Sequence, residues 1–342
     1  MTLMLLACTP TETKVEFVQV ERWAGDTGFE GERTLVGVNY PWTYQRIYAL
    51  DGDAEVVGYY EIPEEIYGYD SGSHAALLMD FELLEGGNVV FAMSPKGLFE
   101  IDPLGELVWR MRDFHVSHDF DRLDNGNHLI ARTWAEKGDK QIVERGEDGK
   151  DVWVWRGMKR YGEDPRFVDI SDEGGAWMHI TAVQRLDNGI TRACIRNFNM
   201  IVDITPEGRV VNEIVLRSTT DQVATTTGRI TGERPHGMET TEDGSILFGT
   251  RFPDRVIEVN ADGQLLWKFR ADGVTSIRDT DRLPTGNTLL SERTSVVETN
   301  PEGEIVWEWE APEVEDQDVE MEDMSPIMTV LRIAEDGSFD NR

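Results

Sequence analysis

The sequence predicts an all-β chain, a six-bladed β-propeller of four-stranded antiparallel blades, and three observations carry that reading. A phrase recurs: HDFDRLDNGNHLIAR from His118 is echoed as RDTDRLPTGNTLLSER from Arg278 and as MDFELLEGGNVVFA from Met79. Six segments have the form of a strand, a tight Gly-containing turn and a second strand that often carries Trp. No segment of useful length shows the 3.6-residue apolar period that a parallel α/β fold needs between its strands.

In chain order the hairpins are YALDGDAEVVGYYEI (48–62), EIDPLGELVWRMRD (100–113), VERGEDGKDVWVWRG (143–157), VDITPEGRVVNEIVL (202–216), IEVNADGQLLWKFRA (257–271) and VETNPEGEIVWEWEA (297–311). Gly in each turn supplies the positive φ of a tight hairpin, and the flanks alternate at the strand period. A second pair of strands precedes five of them, turning at Gly86, Asp124, Asp187, Glu242 and Pro284, which makes four strands per unit. Turn-to-turn spacings of 40 to 59 residues suit propeller blades with loop insertions. The first blade draws on VEFVQV, TLVGVNY, RIYAL and EVVGYY, and MTVLRI near the C-terminus offers a strand that closes the ring. Trp109, Trp153, Trp155, Trp267, Trp307 and Trp309 stand on outer strands, where packing between blades is their expected work. The expected organisation is a tether over residues 1–14, the propeller over 15–311, and over 312–342 the acidic connection EVEDQDVEMEDM with its closing strand.

Composition narrows the partners. A formal charge of -32, from 65 Asp and Glu against 33 Lys and Arg, argues against nucleic acid, whose phosphates require a positive field. Arg outnumbers Lys 26 to 7, a balance that fits a halophilic, high-salt habitat as well as a plainly acidic surface. Cys8 and Cys194 permit at most one bridge. LLAC before the polar TPTETK resembles the lipobox of bacterial lipoproteins. That resemblance implies lipidation of Cys8, a membrane tether and extracytoplasmic placement in the periplasm or at the cell surface. The alternative is an N-terminus that is simply frayed.

Chemistry emerges when the blades are superposed on the glycine of each first turn: Gly87, Gly126, Gly189, Gly244 and Gly286. Eight positions earlier stand Met79, His118, Thr181, His236 and Arg278, with His179 two before Thr181. Seven positions later stand Ser94, Thr133, Arg196, Arg251 and Arg293, with Arg132 just before Thr133. Steps of two along a strand keep one face, and the innermost strand of a blade lines the channel. Three histidines and several arginines therefore converge near the axis of an acidic protein, a composition suited to a small anion. His74, His115 and His128 fall off this register. Trp42, Tyr44, Tyr161 and Trp177 are candidates for an acceptor pocket, with surface packing equally good for each. No C-x-x-C, H-E-x-x-H or G-x-x-x-x-G-K occurs, so neither a metal site nor a nucleotide cofactor is expected.

HDFDRL with its Gly-Asn turn, the repeated V-W-x-W strands, WMHITAVQRLDNG and RPHGMETTEDGSILFGTR resemble the bacterial and archaeal arylsulfate sulfotransferases, which are six-bladed propellers. The resemblance covers about residues 32–311 and omits the N-terminal β-domain of larger members. It implies a ping-pong transfer from an aryl sulfate to a phenol, with no cofactor. His236 matches the nucleophile, His118 and His179 the assisting histidines, and Arg196 the assisting arginine. Thr181 stands where the family has asparagine, and Arg251, Arg278 and Arg293 are further candidates to hold sulfuryl oxygens. Two alternatives remain: a noncatalytic propeller that binds a surface partner, and a hydrolase with a metal held by channel carboxylates.

Overall fold

The computed structural model describes residues 32–40, 44–68, 76–167, 170, 176–216, 234–251, 253–270, 274–312 and 327–334. Cys8, VEFVQV, Trp42, His74 and EVEDQDVEMEDM lie outside the described residues.

Among the described residues, six four-stranded antiparallel sheets stand around one axis. From the axis outward, blade 1 is Ile327–Ile333, Arg33–Tyr40, Tyr44–Leu50 and Val56–Glu61. Blade 2 is Leu77–Leu83, Val89–Ser94, Gly97–Ile101 and Leu107–Arg112, and blade 3 is Phe120–Arg122, His128–Ala131, Ile142–Arg145 and Asp151–Trp155. Blade 4 is Ile180–Arg185, Thr191–Ile195, Met200–Ile204 and Val210–Val215. Blade 5 is Pro235–Thr240, Ile246–Arg251, Asp254–Val259 and Leu265–Phe269, and blade 6 is Asp279–Arg282, Thr288–Ser291, Ser295–Thr299 and Ile305–Glu310. The inner strand of blade 1 thus follows all the others in chain order and pairs antiparallel with Arg33–Tyr40.

Burial explains the residue patterns. Second strands such as VVFAMS and ILFGTR are sandwiched between neighbouring blades and read as nearly continuous apolar runs, whereas outer strands such as LVWRMR alternate. In the DNGN turn Gly126 sits at φ 82, a left-handed conformation that other residues adopt only with strain.

The recurring phrase is a set of blade-to-blade ties. Its arginine reaches back over the Trp of the preceding blade and pairs with that blade's Glu. Arg185 meets Trp153 and Glu144 (3.1 Å), Arg282 meets Trp267 and Glu258 (2.6 Å), and Arg332 meets Trp307 and Glu298 (2.7 Å). The same tryptophans donate indole N–H bonds forward to the carbonyls of Pro206, Pro301 and Gly52. Its acidic residues accept backbone N–H bonds from the next inner strand: Arg122 to Glu82 (2.7 Å), Arg185 to Asp121 (2.8 Å) and Arg282 to Glu239 (2.6 Å). Such charge-assisted bonds in a water-poor channel are stronger than neutral ones and hold adjacent blades in register.

Candidate active site

The site lies on the face where the chain passes from one blade to the next, and local backbone geometry builds it. His179 (φ 52), Arg234 (φ 48) and Ser276 (φ 58) occupy equivalent left-handed positions just ahead of the inner strands of blades 4, 5 and 6. His118 (φ 51) is also left-handed ahead of blade 3, at the level of Thr181 rather than of His179. Left-handed non-glycine residues cost about 1–3 kcal/mol each and concentrate at functional sites. Directly after these kinks, one extra residue bulges the inner strand, at Thr181 in blade 4 and at Gly237 in blade 5. A bulge re-aims its neighbours. Counted from the turn glycines there are two layers: His179, Arg234 and Ser276 ten residues back, and His118, Thr181, His236 and Arg278 eight residues back.

The three histidines do meet. His118 Nε2 lies 3.1 Å from His179 Nε2, and its Nδ1 lies 2.8 Å from Ser117 Oγ. The His118 ring stands 4.9 Å from that of His179 and 5.5 Å from that of His236, centroid to centroid. His236 is buried on the strand that Pro235 begins, and its Nε2 has no hydrogen-bond partner. Met79, His118, Thr181, His236 and Arg278 share an axial cavity of about 60 Å³ with Asp80, Asp119, Asp121, Asp279 and Asp281.

Burial holds all three imidazoles well below the usual histidine value, and the arginines press further. Arg278, Arg196 and Arg251 act on His118, Arg196, Arg278 and Arg234 on His179, and Arg278 and Arg196 on His236. All three are neutral at pH 7. The arginines feel one another too. Arg196 is pushed down to about 10 by burial, Arg234 and Arg251, and Arg278 to about 9 by burial, Arg251 and Arg196 against the pull of Asp254. Guanidinium groups stay charged at neutral pH, so the three histidines feel a concentration of positive charge within a strongly acidic molecule. A buried anion would relieve that repulsion.

Other candidates are placed elsewhere. Thr181 lines the cavity, but its hydroxyl donates to the Pro235 carbonyl (2.8 Å), so it fixes the approach to His236. Thr133 likewise ties blade 3 to Ile180 (2.6 Å), and Ser94 accepts the Trp134 indole N–H (3.1 Å). Arg293 is absent from the charges acting on His118; its backbone bonds to Thr275 and Ile327. Arg132 turns outward into an ion cluster with Asp113 (3.0 Å) and His115 (2.7 Å). Trp177 and Tyr161 are core residues rather than pocket walls, and Tyr44 is buried against Tyr40. Among the described residues, no group of three or more His, Cys, Asp or Glu is arranged to hold a metal ion. Cys194 is buried, its thiol pushed up to about 12, and is inert.

Sequence reasoning missed two participants. Arg234 carries the His179 position into blade 5, and counting ten residues back from Gly244 would have found it. Trp134, half-buried, stands edge-on to His179 (5.4 Å) and His118 (6.5 Å) and walls the site with an aromatic face. No repeat position announces it.

No protein-family model matches the chain, and no curated protein does. Solved structures do. A protein of unknown function from Bacteroides caccae superposes with TM-score 0.60 at 15% identity, covering 88% of this chain and 98% of its own. A catalytically inactive virginiamycin B lyase from Staphylococcus aureus, solved with quinupristin, superposes with TM-score 0.50 at 13% identity, covering 90% and 94%. At such identities the likeness establishes the propeller fold.

Proposed function

We propose that this chain is an arylsulfate sulfotransferase that passes a sulfuryl group from an aryl sulfate to a phenol through a sulfohistidine on His236, without a nucleotide cofactor. One observation carries the reading: a neutral, buried imidazole whose Nε2 is unpartnered, with Arg278 and Arg196 pressing their charge on it.

In the first half-reaction His236 Nε2 attacks sulfur, the S–O bond to the aryl group breaks, and the leaving phenolate takes a proton from the His118–His179 pair. In the second, an acceptor phenol gives its proton to that pair and its oxygen displaces His236 from sulfur. Arg196, Arg278, Arg251 and Arg234 hold the sulfuryl oxygens, where charge develops. Trp134 flanks the aryl ring. All three histidines are held neutral, which suits His236; the acid form arises when the substrate anion offsets the arginines.

The test is turnover of 4-nitrophenyl sulfate with a phenol acceptor, together with mass analysis of the enzyme quenched in the absence of acceptor. Wild type should release nitrophenol and carry one sulfuryl group on His236, and His236→Ala should lose both by at least about a thousandfold. Undiminished turnover in the variant removes His236 as nucleophile. No turnover with a panel of aryl sulfates leaves an anion-binding propeller.

A further inference from the structure

Beneath the histidines the channel carries a layer of carboxyl groups that the reading above does not use. Asp80 and Asp119 are half-buried in the cavity lining and meet across the boundary between blades 2 and 3, where Asp80 also reaches the N–H of Phe120, and their carboxyl groups hydrogen-bond side chain to side chain. Two carboxylates cannot make that bond; one of them must carry a proton. The remaining bonds identify the carrier. Asp80 already accepts from the N–H groups of Phe81 (2.8 Å) and Phe120 (3.3 Å) and from the Thr329 hydroxyl (3.2 Å), an environment that favours the anion. Asp119 accepts from the Val183 N–H on one oxygen (2.5 Å), leaving the other to donate to Asp80.

We propose that the Asp119–Asp80 pair is a proton store for the transfer reaction, lending its proton through the axial cavity to the His118–His179 pair and recovering it within each catalytic cycle. The proposal rests on the sulfotransfer reading and assigns it a proton source. Two geometrical facts support it. Asp119 adjoins His118 in the chain, and one cavity of about 60 Å³, the volume of about two waters, is lined by His118, His236, Asp80 and Asp119 together. Other groups facing the pair strengthen its hold on the proton. They are Asp121 of blade 3, Glu82 of blade 2 and Asp279 of blade 6, all acidic, with Asp281 and Arg278 in the same cavity lining. Burial, then these neighbouring carboxylates, push Asp80 and Asp119 above the usual carboxylate range, which favours the protonated pair.

The step balances. As the S–O bond breaks, the proton passes from Asp119 to the histidine pair and on to the phenolate oxygen, and Asp119 is left as carboxylate. When the acceptor phenol attacks the sulfohistidine, its proton returns by the same route, so no net proton enters or leaves per turnover. Asp119 acts through His118 and is a positioning residue for the proton, not a group that touches substrate.

Asp119→Asn tests this. The amide keeps the acceptor for the Val183 N–H and a donor for Asp80 but holds no labile acid proton. The expected loss is selective: kcat/KM for phenyl sulfate, whose phenolate is the more basic leaving group, should fall at least about tenfold more than kcat/KM for 4-nitrophenyl sulfate. The wild-type activity toward phenyl sulfate should also fall at high pH as the pair loses its proton, and the variant should lack that limb. If the variant does not fold, as judged by circular dichroism, Asp80→Asn is substituted, because its amide donates to an ionised Asp119 and equally abolishes the store. Equal losses with both donors, or an unchanged pH profile, would overturn the proposal while leaving the sulfotransfer reading intact. Absence of turnover in wild type strikes the underlying reading instead.

Discussion

Replacing Arg278 with glutamine should make the protein more stable in anion-free buffer. Its guanidinium is lowered from its ordinary value to about 9 by burial and by Arg251 and Arg196. At about 1.4 kcal/mol per pKa unit, that distance sets a ceiling of about 5 kcal/mol on what the charge costs the fold. The unfolded chain binds the extra proton between the ordinary arginine value and about 9, so stability falls as pH drops through that window and the penalty is complete below it, pH 7 included. Lost packing and the lost attraction of Asp254 offset part of the gain, leaving about 1–2 kcal/mol, or about 2–4 °C in Tm for a chain of this size. Calorimetry without and with millimolar sulfate checks both halves of the argument. Wild type should gain up to about 2.7 kcal/mol at a hundredfold excess of sulfate over Kd, while Arg278→Gln should start higher and gain little. If the variant melts below wild type in anion-free buffer, or if sulfate raises both equally, the cluster is not a strained anion site.

Two further outcomes follow from residues already placed. His128 is buried against Trp109 with both ring nitrogens unpartnered and is pushed down to about 4 by burial and Arg122. The unfolded chain takes up its proton near pH 6.5, so stability should fall from there toward pH 4, and His128→Phe should recover about 2 kcal/mol relative to wild type at pH 5 but not at pH 7.5, by urea unfolding. Trp134→Ala should raise KM for aryl sulfates about tenfold while leaving the affinity for inorganic sulfate within about twofold, measured by calorimetric titration; equal weakening of both would show that the indole only supports the histidines.

The propeller was legible because hairpin turns need glycine and outer strands need Trp, and both requirements recur at blade spacing. The gathering of His118, His179 and His236 was legible for the same reason, since a strand places every second residue on one face. What escaped depends on backbone detail that residue type does not encode. The left-handed kink that aims His179 and Arg234 at one place, ten residues before each turn glycine, and the bulges at Thr181 and Gly237 that follow it are not visible in residue type. The acidic residues of the repeated phrase are visible as a repeat, but residue type does not say that Asp80, Asp119 and Asp279 sit half-buried and tie neighbouring blades through backbone N–H groups. Trp134 lies in a loop specific to blade 3, where repetition offers no guide.

The inner strand of blade 1 comes from residues made after every other strand. During synthesis, blades 2 to 6 emerge complete while blade 1 lacks its innermost strand, and the channel wall is open on one side. Thr329 and Val330 of that strand are the groups that donate to Asp80 and Asp279, so the carboxyl layer is fully bonded only once the strand docks. Burial of the histidines and arginines, and with it their altered acid–base character, is therefore a property of the finished ring. A nascent or reopened chain would present an ordinary, solvated cluster, so the lowered titration of the three histidines is itself a reporter of ring closure.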